Sequence, residues 1–175
     1  MNIMEQPTIH VTHRIIAEEI RDWSEKVLEI PSDEFNGLPP CPYAKKAWLK
    51  DKVRMHVISN IEDCKQIKNR CPDDDSVDVV AWIGYEQMSA DEFDNWMDEE
   101  NEKPEGIWVV GFHPDHPMDE SLEEYEGLGA PEYGLILIQS HRHLAKSSKS
   151  IYRKGYYSNY PKEDINHIKK RNRIR

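Results

Sequence analysis

At 175 residues, 38% apolar and 32% charged, the chain is long enough to bury a core without disulfide or metal staples. Five Trp and eight Tyr exclude a disordered chain, and no apolar run approaches the roughly 20 residues that cross a bilayer. The net charge of −10 disfavours nucleic acid as a general partner, because the acidic field repels a polyanion.

That charge is unevenly spread. Residues 73–132 hold 20 Asp and Glu against one Lys103, whereas from Arg142 onward 11 Lys and Arg face only Glu163 and Asp164. The basic end either packs near the acidic face, stays solvated, or forms an arm for nucleic acid or another anion. Three cysteines at irregular spacing argue against a disulfide framework. The first residues lack the basic and apolar regions of a secretory signal, so a cytoplasmic location without membrane contact is expected.

In chain order, residues 1–11 read as a flexible leader. Thr12 to Glu29 is an amphipathic helix, since Ile16, Ile20, Trp23 and Val27 recur at spacings that share one face, and Pro31 ends it. After a turn-rich stretch with Asn36-Gly37 and Pro39-Pro40, Cys41-Pro42 opens a second helix to about Lys50, because proline suits the first helical position. Val53 to Ser59 alternates as a strand, Asn60 caps a helix through Asn69, and Val77 to Ile83 is a nearly continuous apolar strand. Ser89 to Glu92 is a capping box that starts a helix to about Glu100, and Ile107 to Phe112 is a third strand.

His113 to Pro131 is an acidic loop long enough to be functional. Leu135 to Ile138 begins either a fourth strand or a helix, and Tyr160 to Arg175 reads as a short basic helix that frays. The expectation is an α/β fold: a small three- to four-stranded sheet, parallel or ferredoxin-like mixed, covered by helices. Residues 12–160 form its single domain and 161–175 a basic C-terminal tail.

Three places could carry chemistry. Cys41 at a helix start would face unpaired N–H groups and the positive end of the helix dipole, which favours thiolate, with Lys45 and Lys46 one turn on. The alternative is a buried structural cysteine beside a proline-rich turn; Cys64 and Cys71 read as inert. Phe112-His113-Pro114-Asp115-His116-Pro117 lies where a strand ends, the usual place for sites in open α/β sheets, so His113 is a candidate general base and Asp115 and His116 substrate contacts. In Ser140-His141-Arg142-His143 the two histidines diverge whether the backbone is strand or helix, so they do not share a metal as a pair. One of them could join His113 and Asp115 in a two-His-one-carboxylate set, with His141 the weaker metal alternative. No phosphate loop, nucleophile elbow or zinc spacing is present in the sequence, and no cofactor is named by it.

Leu38-Pro39-Pro40-Cys41-Pro42-Tyr43-Ala44, following a helix, resembles the helix plus L-C-P-[FY]-A motif of a family of small bacterial proteins of unknown function. Phe112-His113-Pro114 resembles that family's F-H-P, His143-Leu144-Ala145-Lys146 its H-L-[LR] segment, and Tyr160 to Ile165 its end. The family's Asn-Arg-Ser-Pro-Tyr-Pro stretch is matched at best by Gly129 to Tyr133, without the Arg. The resemblance implies that Cys41, His113 and His143 converge, and it brings no known reaction.

The leading expectation is therefore an enzyme acting on a small polar molecule, with Cys41 as thiol, His113 or His143 as acid and base, and Asp115, His116 and Arg142 contacting substrate beneath the acidic loop. Two alternatives stand beside it. One is a non-catalytic module whose acidic surface docks a protein partner. The other is a metal enzyme built on His113, Asp115 or His116 with His141 or His143.

Overall fold

The computed structural model describes the backbone over residues 6–116 and 133–172, with side chains from residue 13 onward. Helix α1 spans Gln6–Trp23 and runs on as a π-turn over Ser24–Leu28. Helical backbone thus begins earlier than the apolar stripe that signals it, because extending a formed helix costs little per residue. Helix α2 is Ala44–Leu49, β1 is Val53–Ile58, and a 3-10 turn at Ile61–Asp63 feeds α3, Cys64–Asn69. Then come β2 at Val77–Trp82, α4 at Ala90–Glu102, β3 at Ile107–Phe112 and β4 at Gly134–Ser140. Helices α5, His141–Arg153, and α6, Lys162–Arg171, close the chain. Among the described residues no helix is long and apolar enough to cross a membrane.

The four strands form one mixed sheet in the order β1-β2-β4-β3. β1 and β2 are parallel and joined through α3, while β4 inserts between β2 and β3 antiparallel to both. The Leu135–Ile138 run is thus a central strand, buried on both faces. The expected mixed α/β sheet with an N-terminal amphipathic helix is what the chain forms.

Register decides which side chains meet. Ile58, Val80, Trp82, Val109, Ile136 and Ile138 share the face covered by α3 and α4, where Phe93 stacks on Trp82 at 5.6 Å and on Trp96 at 5.8 Å. Burying Phe93 completely is worth about 1.5–3 kcal/mol. Its ring crosses β3 at Gly111, where a Cβ would sit 2.6 Å from the ring edge, so only glycine fits. The opposite face is covered over β1 and β2 by Ile16 and Ile20 of α1 together with Trp48. Phe35, Leu38, Tyr43, Ile151, Tyr156, Tyr157 and Tyr160 make a separate aromatic cluster that joins residues 35–43 to α5.

The capping residues are those the sequence announces. Asn60 accepts from the Glu62 N–H at 3.0 Å, and Ser89 and Glu92 form the reciprocal capping box of α4. α5 is a full helix that the sequence reading did not delimit. Its buried face is Ala145, Ser148 and Ile151, too small and polar to register as an apolar stripe.

Candidate functional site

Cys41 sits in a turn just before α2, not at the helix start that Cys41-Pro42 suggested. Its carbonyl accepts from the Ala44 N–H at 3.0 Å, its own N–H donates to Leu28 at 3.0 Å, and the Tyr156 hydroxyl donates to the neighbouring Pro40 carbonyl. The nearby backbone N–H groups of Tyr43 and Ala44 favour the thiolate. Burial outweighs those donors and, with the nearby Glu29 charge, pushes the Cys41 thiol up rather than down. Lys45 and Lys46 are exposed. Glu29 is brought back by the π-turn, and its carboxylate pairs with Arg21 and accepts from Ser24 Oγ at 3.0 Å. Trp48 Nε1 donates to the same Ser24 hydroxyl at 2.9 Å.

His113 lies on the other face, boxed by Trp82, Tyr85 and Phe93, with no exposed side-chain surface. Nε2 reaches the Met88 carbonyl at 2.9 Å and the Tyr85 carbonyl at 3.2 Å, and Nδ1 accepts from the Asp115 N–H at 3.2 Å. Both nitrogens are therefore spent on backbone, with the proton on Nε2. His116 Nδ1 accepts from the His113 N–H at 3.1 Å, and its Nε2 lies 3.1 Å from Asp94 Oδ1, out of line for a hydrogen bond. Asp115 itself is exposed, its Oδ2 3.8 Å from His113 Nδ1.

His141, Arg142 and His143 form the first turn of α5. His141 Nε2 reaches the Arg171 carbonyl at 2.8 Å, Arg142 pairs with Asp73 at 2.6 Å, and His143 Nε2 reaches the Asp73 carbonyl at 3.2 Å. Ser140 Oγ donates to Asp73 Oδ1 at 2.7 Å and caps the helix.

The topology keeps these groups apart. His113 follows the carboxyl end of β3, whereas His141 and His143 follow the carboxyl end of β4, which runs antiparallel and so finishes at the opposite end of the sheet. A strand of this length puts about 20 Å between them. Cys41 is held by Leu28 and Ala44, and neither imidazole is among its partners in the described residues. The expected convergence of Cys41, His113 and His143 is not formed. His113, Asp115 and His141 do not assemble as ligands, and among the described residues no group of three His, Cys, Asp or Glu could hold a metal ion. The loop expected to act as a lid lies, from residue 117, outside the described residues.

A different constellation is assembled at the open β1 edge. Asp78, on a strand otherwise apolar, has a carboxylate only 3% exposed. Arg54 grips it with two bonds, Nε to Oδ1 at 2.8 Å and Nη2 to Oδ2 at 2.6 Å, and His56 Nε2 meets Oδ1 at 2.8 Å. Register puts Arg54 beside Asp78 and His56 beside Val80, all on the α3 face. Burial opposes the Asp78 charge, yet the His56 and Arg54 hydrogen bonds prevail and hold its carboxyl below the ordinary range. The Cys71 thiol faces the same carboxylate, and burial together with that negative charge pushes it up to about 11.

The alternation of Val53 to Ser59 does not reveal this group, because Arg54 and His56 are its polar half and polar positions of an alternating strand ordinarily face water. The available signal was Asp78 itself, one charge inside Val77-Asp78-Val79-Val80-Ala81-Trp82, since a buried carboxylate demands partners on a neighbouring strand. Chemically, a histidine whose Nε2–H is held by a buried carboxylate presents Nδ1 as a base. A third of the His56 side chain is exposed, and Nδ1 has no partner among the described residues. Arg54 Nη1 is likewise uncommitted among them.

The chain matches no protein-family model, no curated protein and no solved structure. Its likeness to the small bacterial family therefore rests on the motifs quoted above.

Proposed function

We propose that the protein is an enzyme acting on a small polar substrate that carries an anionic group, with His56 as general base, Asp78 as its orienting carboxylate and Arg54 as the anion anchor. The single observation behind this reading is the 2.8 Å contact from His56 Nε2 to the buried Asp78 Oδ1. A buried carboxylate costs several kcal/mol to desolvate and brings little net stability, so such groups gather where a pKa or a tautomer must be controlled. In hydrolysis, Nδ1 takes a proton from water as its oxygen attacks the substrate, and the imidazolium then returns that proton to the leaving group. Arg54 supplies a guanidinium nitrogen for the substrate anion without releasing Asp78.

The test pairs binding with turnover. Nitrogen-15 spectra of the histidine rings should show His56 protonated at Nε2 and shifted by inorganic phosphate. Hydrolysis of p-nitrophenyl acetate and p-nitrophenyl phosphate should be lost in His56→Gln. A His56 ring protonated at Nδ1, or activity that survives the substitution, overturns the reading.

Cys41 supports a second reading, a redox or nucleophilic thiol, on its place beside the backbone N–H groups of Tyr43 and Ala44, which favour the thiolate against burial. Rapid alkylation of Cys41 in the folded protein near neutral pH is the result that reading requires.

A further inference from the structure

We infer that α5 and α6 form a binding surface for single-stranded nucleic acid, centred on Tyr152. This surface is separate from the Arg54–His56–Asp78 site and does not depend on it. Lys149, Tyr152 and Arg153 recur at helical spacing on α5, and Ile168 and Lys169 of α6 with Asn172 just after it line the same hollow of about 380 Å³. Its floor is apolar, formed by Tyr152 and Ile168, and its rim is cationic. Tyr152 is 47% exposed at the margin of the aromatic cluster, tilted against Tyr157, and Lys169 Nζ lies 5.8 Å from its centroid.

The rim charges are not neutralised by carboxylates among the described residues. Lys149, Arg153 and Lys169 are exposed and make no ion pair among the described residues. The pair that ties this segment to the acidic half, Arg142 with Asp73, lies at the opposite end of α5. The two carboxylates of α6, Glu163 and Asp164, occupy its first turn and do not line the hollow. An anionic partner is thus attracted here and repelled by residues 73–116. That polarity confines contact to one face and favours a short, flexible strand over a duplex.

An acidic peptide would answer the cations equally well, but it would leave the exposed ring without a stacking partner. A nucleobase stacked on Tyr152 with its flanking phosphates on Lys149, Arg153 and Lys169 uses both the ring and the rim.

The experiment measures fluorescence anisotropy of labelled dT8 and rU8 with the full chain, in low salt and across a salt series. Three phosphate contacts give a slope of about −2 in log affinity against log salt, so roughly a hundredfold is lost per tenfold rise in salt. Lys149→Glu with Arg153→Glu should abolish binding. Tyr152→Ala should weaken it about five- to a hundredfold, with Tyr152→Trp restoring it. An abasic strand of the same length should bind as weakly to the native chain as dT8 does to Tyr152→Ala. Circular dichroism and thermal melts establish that each variant folds. No binding in low salt, equal affinity for abasic and normal strands, or tighter binding of oligoglutamate than of dT8 would each overturn the proposal, the last in favour of an acidic peptide.

Discussion

His56 stands opposite Val80 in the β1–β2 register, yet its Nε2 reaches back along the sheet to Asp78 Oδ1 at 2.8 Å, the same oxygen that Arg54 Nε holds. Two residues of an edge strand thereby converge on one carboxylate of its inner neighbour. This couples the charge state of Asp78 to the stability of the strand pair. The Asp78 pKa is lowered in the folded protein, against the opposing effect of burial, by its bonds to His56 and Arg54. A depressed carboxyl contributes stability that is present above the unfolded-chain value of about 3.9 and lost as pH falls through the folded value.

Asp78→Asn should therefore destabilise the protein at neutral pH and flatten the acid limb of its stability curve. A fully buried pair that loses one partner costs about 3–5 kcal/mol; because Arg54 is 38% exposed and can recover water, roughly 2–3 kcal/mol is expected. Urea denaturation from pH 3 to pH 8 measures both effects. An unaltered acid limb would show that Asp78 is not the linked group.

His56→Gln should separate function from folding. Glutamine can still donate to Asp78, so the change in stability should stay below about 1 kcal/mol. Turnover should fall by roughly a hundred- to ten-thousandfold, the usual contribution of a positioned base. Arg54→Lys, which keeps the charge but loses the fork, should raise KM for anionic substrates more than it lowers kcat. A variant of His56 with native kinetics would assign the cluster to structure alone.

The three thiols should be protected in the native state. Burial raises all of them: Cys64 to about 12, Cys71 to about 11, and Cys41 above its ordinary value despite its N–H donors. Alkylation by iodoacetamide at pH 8 should be slow in buffer and complete within minutes in denaturant, with fully buried Cys64 the last to react. Peptide mass mapping assigns the sites. Fast native labelling of Cys41 alone would reinstate it as the reactive centre.

The fold was legible where local signals coincide with burial. Ile16 and Ile20 do face the sheet, Asn60 and Ser89 do cap, and Ile107–Phe112 is a strand with the bounds its pattern implies. What the sequence could not convey was strand order. Nothing local says that β4 inserts between β2 and β3, and that insertion sends His113 and His143 to opposite ends of the sheet. Motif order along the chain suggested a convergence that antiparallel pairing forbids. Asp78 was hidden for the converse reason: its partners lie on a strand more than 20 residues earlier and meet it only through register.

Lys68 and Glu100 offer a test of how α3 and α4 are locked over the sheet. Their side chains are 5% and 4% exposed and directly paired, with Glu105 3.1 Å from Lys68 Nζ and Lys103 Nζ 2.5 Å from Glu100 Oε1. Burial works against both charges, but the surrounding hydrogen bonds raise Lys68 and lower Glu100. The lysine contribution is present below its unfolded value of about 10.4 and the glutamate contribution above about 4.3, so the pair stabilises the protein between those limits and fails at either extreme. Within that window Lys68→Met strands a buried carboxylate and should cost about 3–5 kcal/mol, as should Glu100→Leu, which strands the ammonium. Combining the two replaces both buried charges by hydrocarbon, and the double variant should lie within about 1–2 kcal/mol of the parent. Urea denaturation of the full cycle at pH 7 measures the coupling. Strictly additive losses would mean that Lys103 and Glu105 solvate the two charges separately and that the pair does not act as a unit.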